Sequence, residues 1–152
     1  MGNGEPDVSA VALSTELPIS AERAAALARK PALMQFVLAP ALTLPGLSAP
    51  DRIEVGTTAS ARLWLFGVIP AWTHHLEIKE LDDLMIYTHE HGGPVRTWNH
   101  RLTFTPVDEH RCRYTDEIET DDGVKGLGTR LFIRLLFAHR HRRWAALAAI
   151  LA

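Results

Sequence analysis

Cys112 is the only cysteine in the chain, so no internal disulfide can form and a packed core must hold the fold. A lone thiol fits a reducing compartment. Met1 to Asp7 has neither a basic nor an apolar signal-like stretch, and the expected location is the cytoplasm. Neither sign of charge is in excess: a net charge of −2 argues against binding nucleic acid over the whole surface, and no nucleic-acid partner is expected. No apolar run approaches the ~20 residues of a membrane span. The most apolar stretch, at the C-terminal end, is broken by Arg130, Arg134, Arg140, Arg142 and Arg143, so stable membrane insertion is not expected. From Val124 to Ala152 there is no acid and no proline, which leaves one long helix as the natural reading.

Apolar residues make up 47% of the chain, enough for one domain to bury a core without a staple. Residues 8–152 are expected to form that domain, with 1–7 a flexible N-terminus. Val8 to Leu17 alternates loosely and reads as a strand. Pro18-Ile19-Ser20 ends it, and Ser20 is placed to cap a helix over Ala21 to Arg29, with Glu22 in the first turn where the helix dipole favours an acid. Pro31 suits the start of a second short helix, Ala32 to Leu38. Ala39 to Val55, punctuated by prolines and Gly46, reads as an irregular apolar loop over a cavity mouth. Five strands follow: Thr57 to Phe66, Trp72 to Glu80, Leu84 to Glu90, Arg96 to Pro106 and His110 to Thr120. Asp82-Asp83, Gly92-Gly93-Pro94 and Asp108-Glu109 mark the turns between them.

This order predicts an α+β fold: a curved antiparallel sheet of about six strands wrapped around a long C-terminal helix, with two short helices after the first strand. The space between sheet and helix is a natural cavity for an apolar ligand. The order resembles the helix-grip fold of the START-like (SRPBCC) superfamily. Three local phrases resemble bacterial members as well: Leu17-Pro18-Ile19-Ser20-Ala21-Glu22-Arg23, Tyr114-Thr115-Asp116-Glu117-Ile118 and His139-Arg140-His141-Arg142-Arg143. The resemblance implies a polyketide-like or lipid-like small hydrophobic ligand, as in polyketide cyclase/dehydrase-like and lipid-transport-like members. It carries no universal catalytic residue.

Side chains alternate across a strand, so parity assigns faces. The predicted inner wall holds Trp64, Phe66, Trp72, Trp98, Phe104 and Tyr114, with polar groups at His74, His100 and Asp116; Arg62 then lies near the mouth. A symmetric hairpin centred near Asp108 sets His100 opposite Asp116, with Cβ atoms roughly 4.5–5.5 Å apart. That pair either satisfies itself as a structural contact or orients His100 as an acid/base beside the Tyr114 hydroxyl. His100, Asp116 and Tyr114 are accordingly the catalytic candidates for a cyclase or dehydratase. Trp64, Phe66, Trp72, His74, Trp98, His100, Tyr114 and Asp116 are the ligand-binding candidates.

His74-His75 and His89-Glu90-His91 lack the cysteine companions or helical spacing of familiar zinc sites, so neither metal nor cofactor is expected. On a helical wheel Val124, Leu127, Leu131, Leu135, Ala138, Ala145 and Ala149 form the stripe predicted to face the sheet, with Arg142 on it. Ile133, Phe137 and Trp144 then point outward and suggest a homodimer contact. Arg140, Arg142 and Arg143 offer RNA or an anionic membrane a basic patch, or pair with the acids of Asp108 to Asp122.

Overall fold

In the computed structural model, which describes residues 8–93, 95–121 and 126–152, the chain enters as β1 (Val8–Leu17). Pro18 breaks the strand, and Ser20 accepts a hydrogen bond from the Arg23 amide to cap α1 (Ala21–Ala28), with Glu22 in its first turn. Pro31, whose missing amide hydrogen costs nothing at a helix start, opens α2 (Pro31–Leu38). Then come β2 (Leu42–Thr43), β3 (Thr58–Leu65), β4 (Ile69–Asp82), β5 (Met85–Gly92), β6 (Val95–Asp108), β7 (Arg111–Asp121) and α3 (Gly126–Leu151). The seven strands form one antiparallel sheet in the order β1-β7-β6-β5-β4-β3-β2, curled around α3. The helix-grip architecture is therefore present, with one strand more than expected. That strand, β2, comes from the stretch read as irregular loop, whose Ser48 also bridges to Ser60. Met1 to Asp7, Pro94 and Val124 lie outside the described residues.

Three expectations are corrected. Helix α3 turns the opposite face to the sheet. Ile133 and Trp144 are fully buried and Phe137 is 5% exposed, whereas Leu127, Leu131 and Leu135 are 84%, 59% and 64% exposed. Ile133, Phe137 and Trp144 therefore cannot form a dimer surface. The helix has apolar residues on both sides; the face it turns inward buries Ile133, Phe137 and Trp144 and also brings Arg140 and His141 to the buried carboxylate of Asp116.

The parity of β3 is reversed as well. Ala61 pairs with His74 and Ala59 with Leu76, so the odd residues Ala59, Ala61 and Leu63 face inward. Trp64 is half-buried away from the cavity. Phe66 sits in the β3–β4 turn, 67% exposed at φ 52°. Bulk misled the assignment here, because this wall uses small side chains that leave space.

The β6–β7 hairpin is displaced by two residues, with Leu102 opposite Asp116 and His100 opposite Ile118, and a bulge between Pro106 and Asp108. A shift of two preserves the faces, so His100 and Asp116 remain on the inner side as diagonal neighbours.

Gly92 and Gly93 fix one wall. Both have positive φ, and a Cβ would lie 2.4 Å from the Thr73 carbonyl oxygen at Gly92 and 2.5 Å from the Trp72 ring at Gly93. Glycine lets the β5–β6 turn fold directly onto Trp72.

Candidate functional site

Between the concave sheet and α3 lies a cavity of about 170 Å³ with an opening to solvent. Its walls are mostly apolar. Leu42, Leu44 and Leu47 come from the stretch after α2, and Phe132 and Leu136 come from α3. One side is polar, where Thr88 and Glu90 of β5 and His100 of β6 reach the wall beside His74 and Arg140.

These groups form a continuous buried network. The Trp72 indole N–H donates to His74 Nδ1 (3.4 Å), so Nδ1 is an acceptor and the His74 proton sits on Nε2, which donates to Glu90 Oε2 (2.7 Å). Thr88 donates its hydroxyl to Glu90 Oε1 (2.6 Å), and His100 Nδ1 approaches the same oxygen at 3.5 Å. The other ring nitrogen of His100, Nε2, meets Asp116 Oδ1 at 2.6 Å. The second Asp116 oxygen accepts from the Tyr114 hydroxyl (2.5 Å) and His141 Nε2 (2.8 Å), with Arg140 Nε at 3.7 Å.

Charged groups pair within this network. Burial opposes the charge on His100, but Asp116 and then Glu90 outweigh it and raise the imidazole above its ordinary 6.5. Burial likewise opposes ionised Glu90, yet hydrogen bonds from His100 and His74 hold it well below its ordinary 4.5. For Asp116, burial is overcome by the charges of Arg140 and His100 and by hydrogen bonds from His100 and His141. Each buried carboxylate is thus partnered, Glu90 by His74 and His100 and Asp116 by His100, His141 and Arg140. Burial, with Asp116 alongside, pushes the Tyr114 phenol well above its ordinary range, so it stays a donor. Burial also lifts the Cys112 thiol to about 11, leaving it unreactive.

Of the ligand-binding candidates, Trp72, His74, Trp98 and His100 line the cavity together. Trp64 and Phe66 do not. Tyr114 and Asp116, both 0% exposed, lie behind the wall and are hydrogen-bonded to its His100 and Arg140. Sequence reasoning missed Glu90, although parity on its strand carried the signal: Ile86, Thr88 and Glu90 share the inward face while Tyr87, His89 and His91 face out. It also missed Arg140 as a core residue, and here no local signal existed.

The predicted basic patch is dispersed. Arg140 is 8% exposed, and Arg143 donates twice to the Phe36 carbonyl (3.1 and 3.0 Å) with its guanidinium 4.1 Å above the Phe36 ring. Only Arg142 of the three is exposed. Among the described residues, the one of these three arginines that pairs with an acid of β7 is Arg140, with Asp116, while Glu117 and Glu119 project from the outer face of the sheet.

Residues 16–148 match the family described as Domain of unknown function (DUF8410). No curated protein matches the chain. Among solved structures, a START superfamily protein from Mycobacterium smegmatis is similar at 14% identity and TM-score 0.75, covering 94% of this chain and 99% of that one. A point mutant of norcoclaurine synthase from Thalictrum flavum, in complex with a transition-state analogue, is similar at 15% identity and TM-score 0.71 (93% and 94% covered). The Zhui aromatase/cyclase from Streptomyces sp. R1128 is similar at 11% identity and TM-score 0.68 (93% and 94% covered). At such identities the likeness is one of fold, and the fold is START-like.

Proposed function

The chain belongs to the DUF8410 family, and from its cavity we propose that it binds a small, neutral, apolar molecule bearing one hydrogen-bonding group. The observation that carries this reading is an internally paired polar network at one side of an otherwise apolar cavity. A fully packed core has no use for Glu90 and His100 at an open wall. The charged groups of that wall already partner one another, so a hydroxyl or carbonyl fits better than a charged ligand. Size restricts the class further. An engineered apolar cavity of ~150 Å³ holds benzene, so about 170 Å³ suits a single ring or a short branched chain better than a polycycle. Among the polyketide-like, aromatic and lipid-like molecules that the fold suggests, compact single-ring phenols and ketones are favoured.

Catalysis by His100, Asp116 and Tyr114 draws less support, although two of the solved neighbours carry enzyme names. Both ring nitrogens of His100 face carboxylates, which leaves it no free lone pair as a base. Asp116 and Tyr114 have no access to the cavity. Thermal shift against single-ring and fused-ring compounds, with and without a hydroxyl or ketone, tests the proposal. Single-ring compounds with the polar group are expected to raise the melting temperature, consistent with ~2.7 kcal/mol of stabilisation at a hundredfold excess over Kd. Mass spectrometry of the hits after incubation should return them unchanged. A shift produced only by fused-ring or charged compounds would sink the ligand class, and a converted hit would favour the enzyme.

A further inference from the structure

Six of the ten exposed large apolar side chains among the described residues lie on two segments. Leu127, Leu131 and Leu135 form a stripe along the outer face of α3, and Phe66, Val68 and Ile69 form the tip of the β3–β4 hairpin. Phe66 is held there at φ 52°, a conformation an aromatic side chain rarely adopts. The segments that bear the two patches meet beneath them. Trp72 of β4 meets Phe132 of α3 edge to face at 6.3 Å between ring centroids, and Leu65, Ala71 and Leu136 pack into the same cluster. Neither segment contains an acid: none lies between Glu54 and Glu77, and none in Gly126–Leu151. Arg134 and Arg142 are exposed on the helix.

From this juxtaposition we infer that the Leu127–Leu131–Leu135 stripe and the Phe66–Ile69 tip dock the protein peripherally on an anionic lipid bilayer, with Arg134 and Arg142 facing the headgroups. Leucines flanked by arginines on two acid-free segments match the chemistry of an anionic interface, where apolar side chains enter and cations meet the surface potential. A second copy is a poorer occupant, because a two-fold contact would set each basic patch against itself. No helix is long and apolar enough to cross the bilayer among the described residues, so the contact is with its surface. The inference does not depend on what the cavity holds.

Vesicle flotation tests it, with phosphatidylcholine alone and with phosphatidylcholine and phosphatidylglycerol in equal parts. The wild type is expected to float with the anionic vesicles at low salt and to be released as salt rises. Arg134→Gln should weaken binding about fivefold, the equivalent of ~1 kcal/mol per arginine near the surface. Leu131→Gln with Leu135→Gln should abolish flotation while leaving the melting temperature unchanged. Phe66→Ser on the hairpin provides the same test should the helix variant melt early. Failure of the wild type to float with anionic vesicles at low salt would overturn the inference. So would flotation that survives both sets of apolar substitutions, or a wild-type dimer that the leucine substitutions split, which would give this face to a second copy.

Discussion

Asp116 and Glu90 hold the same imidazole from opposite sides but differ in what lies beyond them. Asp116 is sealed in the core and anchors Arg140, His141 and Tyr114 as well as His100. Asp116→Asn leaves buried cations without a counter-charge and is expected to cost roughly 3–5 kcal/mol in urea denaturation. Glu90 borders the cavity, where water can reach it. Glu90→Gln should cost less, about 1–3 kcal/mol, and should lower the His100 pKa seen by NMR titration. The pH dependence of stability follows from the same shifts. His100 is raised, so its contribution is complete below its unfolded value near 6.5 and is lost as pH rises through the folded value. Asp116 and Glu90 are lowered, so their contributions are complete above 3.8 and 4.5 and are lost as pH falls from there toward the folded values. Urea midpoints measured across pH should therefore peak between these limits, and His100→Gln should flatten the alkaline limb.

The rotation of α3 is the feature of single elements on which the site most depends, since it brings Arg140 and His141 to Asp116. Ile133→Ala is expected to cost about 2–5 kcal/mol by leaving a hole in the core, and Leu131→Ala to stay within ~0.5 kcal/mol. The opposite ranking in chemical denaturation would put the helix back in the orientation its leucine stripe suggests. Much of the architecture was legible because it rests on local rules. Proline and Ser20 punctuate the helices, and alternation marks β6 and β7 with their inward sets correctly assigned. The hairpin register was not legible, because the bulge at Pro106 is set by tertiary context. The wall of β3 was misread because its inner residues are the small ones, Ala59 and Ala61, and a cavity is marked by what is missing from it. The cavity candidates on β4 and β6 came from parity alone. Arg140 could not have been found that way, since its partner lies 24 positions away in sequence and only the folded sheet brings them together.

On the scale of the whole molecule, a curled sheet and a helix enclose a space that their side chains do not fill, and an internally paired polar network borders it on one side. If that space exists to receive a ligand, closing it from the wall should remove binding without unfolding the protein. Ala61 offers the means, since it lies on the inner face opposite His74. Titration calorimetry with p-cresol, a one-ring phenol, on the wild type and on Ala61→Phe tests the central claim most directly. The wild type should bind one molecule per chain with a negative heat-capacity change, the mark of apolar burial, and a folded Ala61→Phe should show no binding. Undetectable binding of p-cresol and its single-ring analogues to the wild type, or equal binding by both proteins, would contradict it.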